Sequence, residues 1–407
     1  MRKFLISAEQ TLTFTCLMLY SGTPLDAFLT DGFTVKETDR TIFRLLYTFT
    51  YIVSLSLITL RWKKVTYVFS RDKFIWTLIG FCALSSFWSL DPDITIRRVI
   101  ALAGTSIFGL YLASRYTLKE QLKLCAYMLG FSAVMCFLFV IIVPKYGFAG
   151  GIDGNTWRGI FSTKNLLGKR FVLSGAVFFF LAMTTQENRL VLWLGYITSG
   201  LLVVLAKSTT SLGNFIIITG AFLTYYRILN LKYKVMIPVV TFLSTVGITF
   251  YVWFVSHADI ILGSVGKDTT LTGRAELWPA VLQMIEKKPW LGYGYGAFWQ
   301  DKAESSIIVQ TVQWNAPNSH NGFLDLWLAL GLIGVLVFLT GFVLNFLRAI
   351  YLIRCNQTSE HLWLLVYLTL IILSNLTETT LLEQNSLEWI LFVSAIFSSK
   401  LSTRANL

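Results

Sequence analysis

The sequence predicts an all-α polytopic membrane protein with about twelve transmembrane helices, and three observations predict it. Hydrophobic residues make up 55% of the 407 and charged residues only 14%, with a mean hydropathy of +0.63. A soluble chain of this length carries roughly a quarter charged residues, so this one lacks the polar side chains to cover a water-facing surface. Apolar runs recur along its whole length, and a spanning helix needs about 20 mostly apolar residues. Lys and Arg gather in alternate connectors, which is the bias that orients spans across a bilayer.

Taken in order, the apolar runs lie at about 5–21, 41–60, 74–90, 94–114, 122–143, 166–185, 190–206, 211–228, 235–255, 328–350, 362–377 and 386–399. The first contains Glu9 and Gln10, and the fourth opens on Arg97 and Arg98, so these two are the weakest spans. MRKFLISAEQ puts basic residues before an apolar stretch with no clear small-residue cleavage site, which reads as an uncleaved first span. With a cytoplasmic N-terminus, inside connectors hold Arg61, Lys63 and Lys64, then Arg115 and Lys119, then Arg348 and Arg354. The outside ones hold Asp26, Asp31, Glu378 and Glu383. An even span count returns the C-terminus to the cytoplasm. The organisation expected is an N-terminal bundle of about nine spans over 1–255, a periplasmic loop over 256–320, and about three C-terminal spans over 321–407.

Two outside segments, about 144–165 and 256–320, are long enough to carry function. Within the second, Leu277, Val281, Leu282 and Ile285 have helical spacing, with Thr272 as a loose cap. The five cysteines (Cys16, Cys82, Cys125, Cys136 and Cys355) sit in or beside apolar runs without a CxxC pair, as small core residues do. A net charge of +12 suits anionic lipid rather than nucleic acid, since no nucleic-acid spacing accompanies it. There is no phosphate-binding GxxxxGK[ST] loop, no HExxH and no Gly-x-Ser-x-Gly elbow. His257, His320 and His361 are far apart, and no metal site is indicated.

What remains is polar density on the outer face. Arg158, Lys164 and Asn165 stand at the entrance of the sixth span, with Lys169 and Arg170 a turn deeper. Arg274 sits at a helix start, and His320 at the entrance of an apolar helix. Cations at helix entrances suit an anion at the membrane boundary: arginine binds phosphate bidentately and helix N-termini add backbone donors. A histidine can take a proton from a hydroxyl near neutral pH. Each has a plainer reading too. Arg158 alone can anchor a headgroup, Arg274 can be a surface charge, and His320 between Asn318 and Asn321 can simply cap a helix. Lys169 and Arg170 must face a cavity or snorkel outward, because lipid exposure is costly. Trp290, Tyr293, Tyr295 and Trp299 form either an interfacial aromatic belt or a sugar platform.

WRGIFSTKNLLG (157–168), TGRAELW (272–278), KPWLGYGYGAF (288–298) and SHNGFLDLWLALGLIG (319–334), in that order, resemble the O-antigen ligase and O-antigen polymerase superfamily. FWSLDPDITIRR (87–98) resembles a segment these proteins carry at an earlier span. The likeness is greatest to exopolysaccharide polymerases of the succinoglycan type, which share the Lys-Asn after the first Arg. The resemblance implies a GT-C-like fold and a metal-independent, inverting glycosyltransferase of the bacterial inner membrane that needs no cofactor. Its donor would be a glycan on undecaprenyl diphosphate, used at the periplasmic face. Its acceptor would be a second lipid-linked glycan for a polymerase, or lipid A–core for a ligase, and a polysaccharide chain-length regulator is a further implied partner. By carry-over Arg158 and Arg274 would bind the donor diphosphate and His320 would act as general base or position the acceptor. Lys164, Asn165, Tyr293, Tyr295 and Asn321 would bind diphosphate or sugar; many relatives lack a lysine at the position of Lys164. A lipid-linked-sugar transporter is the reading from another class. It calls for charged or broken midmembrane helices and internal repeats, and neither stands out here.

Overall fold

The computed structural model describes residues 2–22, 37–149, 156–228, 231–232, 234–235, 238, 274–300, 302–314, 316–356 and 359–405. Among these every regular element is a helix, apart from one isolated bridge between Phe148 and Trp157. The order is α1 (Arg2–Ser21), α2 (Glu37–Thr59), α3 (Trp62–Arg71), α4 (Phe74–Leu84), α5 (Pro92–Arg115), α6 (Leu118–Ile142), α7 (Pro144–Gly147), α8 (Lys164–Thr184), α9 (Arg189–Leu205) and α10 (Thr209–Ile228). It continues with α11 (Arg274–Lys287), α12 (Lys302–Val312), α13 (Gly322–Asn356), α14 (Ser359–Asn375) and α15 (Leu387–Ala405). Among the described residues, five helices are long and apolar enough to cross a membrane: Thr41–Thr59, Pro92–Arg115, Leu118–Ile142, Lys164–Thr184 and Gly322–Cys355. The apolar stretches Phe74–Phe87, Arg189–Leu205 and Glu360–Asn375 are shorter. Eleven of the twelve predicted runs thus fall on helices; the ninth, 235–255, lies outside the described residues except for 235 and 238, and the proposed cap Thr272 lies outside them too.

Local chemistry explains the boundaries. Asp91 caps α5 through Ile94 N at 2.9 Å, with Pro92 at the first helical position. Thr117 and Glu120 form a reciprocal capping box on α6, and Thr163 caps α8 through Leu166 N at 3.1 Å. One helix was not anticipated. The stretch 62–71, read as a basic connector, forms α3, which buries Val68 and leaves Lys63, Lys64 and Arg71 exposed. Its polar residues hide the periodicity until the tertiary structure supplies a surface for Val68.

The bundle has two distinct ends. At one, Glu9 pairs with Arg61 at 2.7 Å and Arg115 at 2.9 Å, and the buried Asp72 with Lys400 at 3.4 Å. Arg61, Arg115 and Asp72 come from the connectors read as basic, and Lys400 from the C-terminal half of α15. The N-termini of α5, α8, α13 and α15 lie at the other end, where Thr95 reaches Tyr295 O, Asn385 N reaches Thr105, and Gly322 N reaches Glu378 O. There α11, α12 and 288–300 build a small second core from Leu277, Val281, Met284, Tyr293, Phe298 and Ile308. Within α11, Leu277, Val281 and Ile285 are buried and Leu282 is 42% exposed. The stripe follows i, i+4, i+8, which turns residue 282 away. Helix α13 is broken at Gly331 (φ 66°, ψ −173°), against the carbonyl of Trp290.

Candidate functional site

The site grows from three loops at that second end. The first is 316–321. Ser319 is fully buried; its N–H donates to Asp325, its hydroxyl to Asn321 O at 2.8 Å, and its carbonyl accepts from Trp278 Nε1 at 3.0 Å. His320 follows with a left-handed backbone (φ 51°), its N–H donating to Asn318 Oδ1 at 2.9 Å. That conformation is uncommon outside glycine and persists only where the surroundings enforce it. The residue that caps α13 is Asn321, whose Oδ1 accepts from Phe323 N and Leu324 N at 3.0 and 3.2 Å. Capping therefore leaves the imidazole of His320 available.

The second loop joins α14 to α15. Buried Asn375 organises it, accepting from Thr380 N at 2.8 Å and Leu381 N at 3.0 Å. A Cβ on Gly322 would lie 2.0 Å from Asn375 Oδ1, so only glycine lets α13 start this close to the loop. Glu378 projects between the two. Its Oε2 lies 3.4 Å from His320 Nδ1 and its Oε1 3.4 Å from Arg274 Nη2. Burial pushes the Glu378 carboxyl up, but His320, Arg274 and Lys169 together hold it below the usual carboxylate value. Burial lowers the Arg274 guanidinium, and Glu378 opposes that shift.

The third contribution is the start of α8. Asn165 and Lys169 share a small cavity with Ser374 and Glu378. Lys169 also lies 3.5 Å from Glu388 on α15, to which buried Arg170 is bonded, while Arg170 Nε donates to Ser21 O at 2.6 Å. Both cations thus turn inward and are paired, as the cost of lipid exposure demands. Both lie within two turns of the α8 N-terminus.

The predicted residues separate accordingly. Arg274 and His320 converge on Glu378, with Lys169 and Asn165 beside them. Arg158 is not brought onto Glu378 by any described contact. It is buried, its Nε donating to Tyr146 O at 3.0 Å and its Nη1 reaching Ser162 O at 3.4 Å, so it stitches the loop that leads into α8. Burial lowers its guanidinium as well. Lys164 is half-buried at the first position of α8. Tyr293 belongs to the small core, its hydroxyl donating to Met284 O at 2.8 Å, and burial pushes that phenol up to about 12. Tyr295 is buried against Leu382 O and Gln384, and it lines a cavity of about 290 Å³ that also touches Asn318 and Thr379.

Two functional residues were missed in the sequence. Glu378 was read only as an outer-loop charge. Asp325 was passed over inside an apolar helix, yet it accepts from Trp299 Nε1 at 2.8 Å, Ser319 N at 3.2 Å and the Thr379 hydroxyl, joining the 316–321 and α14–α15 loops to the 288–300 segment. The available signal was an acidic residue four positions after a helix cap in an otherwise apolar face.

Comparison with known proteins bears on the family likeness. Residues 194–339 match the family described as O-antigen ligase, a span that includes Arg274 and His320 but not Lys169 or Glu378. Over 300 residues, 70% of this chain and 67% of the relative, the chain is 25% identical to the exopolysaccharide production protein ExoQ of Rhizobium meliloti (strain 1021). The resemblance drawn from the motifs is thereby borne out: this multi-helix membrane chain carries an O-antigen ligase match over 194–339 and is similar over most of its length to an exopolysaccharide production protein.

Proposed function

We propose that the chain is a glycosyltransferase of the bacterial inner membrane that uses a glycan on undecaprenyl diphosphate as donor at the periplasmic face. It would polymerise repeat units of an exopolysaccharide or O-antigen. The observation that carries this reading is the convergence of Arg274 and His320 on Glu378, with Lys169 alongside, where the α8 and α13 N-termini meet.

The chemistry follows from the charges. An acceptor hydroxyl attacks the anomeric carbon from the side opposite the diphosphate, inverting it. The bond from that carbon to the diphosphate oxygen breaks, and the electron pair leaves with the diphosphate. Arg274 and Lys169 compensate the charge that develops, in a partly dry site where such compensation is strongest. His320 Nε2 takes the hydroxyl proton, and Glu378, accepting from Nδ1–H, holds the required tautomer. Arg158 acts on the donor by keeping the start of α8 in place, and Lys164 and Asn165 stand at that start. Contacts of 3.4 Å are long for hydrogen bonds, and catalytic contacts commonly tighten around substrate.

Purified enzyme with lipid-linked repeat units tests this. Arg274→Ala should reduce turnover on the order of 10²–10³-fold, and His320→Ala on the order of 10²–10⁴-fold, with membrane insertion unchanged. Near-normal turnover in both would overturn the reading. The family match, described as a ligase, favours a second reading: transfer of finished polymer to lipid A–core. Deleting the gene separates them. Loss of a polymerase leaves single repeat units on lipid, whereas loss of a ligase accumulates full-length polymer on lipid.

A further inference from the structure

A second cationic cavity lies at the same end of the bundle, apart from Glu378. It measures about 530 Å³, and Arg44 of α2 and Arg97 and Arg98 of α5 line it, with Tyr51, Gln300 and Asn385. Among the described residues no carboxylate forms an ion pair with any of the three arginines. Arg97 Nε donates to the carbonyl of Asp93 at 3.1 Å, and Arg98 is half-buried. Three guanidinium groups around one hollow repel one another, and half-burying one of them costs desolvation that no protein partner offsets. The surroundings keep Arg98 in place: a Cβ on Gly296 (φ 69°) would lie 2.4 Å from Arg98 Cδ, so glycine leaves room for its side chain.

The neighbouring cavity of about 290 Å³ shares Arg98, Gln300 and Gln384 with this one. It is lined further on by Tyr295, Trp299, Asn318 and Thr379. Asn318 holds the backbone of His320, and Thr379 adjoins Glu378. The two hollows therefore form a course from the three arginines to the flank of His320, bordered by aromatic rings and amides that suit a sugar. The α2 wall next to Arg44 exposes Leu45, Phe49 and Ile52, a surface for a hydrocarbon chain.

We propose that the cavity of Arg44, Arg97 and Arg98 is a second diphosphate site. It holds the lipid-linked acceptor, while the adjoining hollow leads that acceptor's sugar toward His320. The proposal rests on the glycosyltransferase reading and deepens it, because transfer between two lipid-linked glycans needs two diphosphate sites. A diphosphate spreads its charge over two phosphoryl groups, which arginine forks can grip from several sides. A lone phospholipid phosphate would supply the same kind of oxygen, and the experiment distinguishes the two.

The test counts radiolabelled undecaprenyl diphosphate bound to the full-length protein in phosphatidylcholine nanodiscs, so it does not depend on turnover. Wild type should bind two molecules. The triple variant Arg44→Gln/Arg97→Gln/Arg98→Gln should bind one, and so should Arg274→Gln. Arg44→Gln/Arg97→Gln changes only exposed side chains and should weaken one site by about tenfold or more without disturbing the fold. Arg98→Lys should restore most of the binding lost in Arg98→Gln. A wild-type count of one, or a triple variant that binds as wild type does, overturns the second site. The Arg274→Gln arm judges the donor reading separately, since its failure leaves the triple-variant result standing. Replacing phosphatidylcholine with phosphatidylglycerol should leave the count at two. A fall to the triple-variant count would assign the cavity to an ordinary phospholipid headgroup and overturn the acceptor proposal.

Discussion

Glu378 is the side chain on which the site turns, because one carboxylate orients an imidazole and neutralises two cations. Its folded-state pKa is depressed below the usual 4.5 by His320, Arg274 and Lys169, which together outweigh burial. A depressed carboxylate stabilises the folded state above its ordinary pKa, and that contribution fades as pH falls through the lowered value. Glu378→Gln should therefore unfold at lower temperature than wild type at pH 7, with the gap closing as the pH drops below 4.5. Thermal unfolding in detergent across that range checks it; a gap independent of pH would mean the ionised form contributes nothing. The same variant should lose turnover on the order of 10²-fold through misorientation of His320. Restoration of rate by raising the pH would argue against a positioning role.

At the level of elements, the site is a junction of helix starts. Helix α13 begins at Gly322 beside Asn375, is capped by Asn321, and one turn in presents Asp325 to Ser319, Thr379 and Trp299. Asp325 is thus the clasp that holds the His320 loop against the Glu378 loop. Asp325→Ala would strand buried donors, at about 1–3 kcal/mol for an unsatisfied group. Reduced thermal stability together with a turnover loss is the expected result. A variant as stable as wild type would mean the loops are held by Asn375 and the α13 cap alone. Arg158 plays a comparable part at α8, bridging the Tyr146 and Ser162 carbonyls just before the helix that carries Lys169.

For the whole molecule, ion pairs gather at both ends of the bundle. One end is closed by Glu9 with Arg61 and Arg115 and by Asp72 with Lys400. The other concentrates Arg274, His320 and Lys169 around Glu378, with the triple-arginine cavity beside them. In the proposed reaction, compensation of the diphosphate's charge falls to the side chains of Arg274 and Lys169. Turnover of the purified protein should accordingly persist in EDTA at its untreated rate; abolition by chelation and rescue by a divalent ion would count against that assignment.

Helix positions, the polar clusters and the family likeness could all be read along the chain, because apolar period and motif order are local properties. Arg158, Arg274 and His320 were recognisable as candidates for the same reason: each lies in a motif beside a helix entrance. Glu378 and Asp325 were not, since their meaning depends on neighbours 54 to 104 positions away that only folding brings close. Tyr293 was open in sequence between an aromatic belt and a sugar platform and lies in the small core, because burial is settled by what packs over a side chain. The pairing of Arg274 with Glu378, the bonding of Arg158 to the Tyr146 and Ser162 carbonyls, and the sharing of one cavity by Arg44, Arg97 and Arg98 have the same cause. Electrostatic energy depends on separation in space and on the solvent excluded between charges, and a linear order of residues specifies neither.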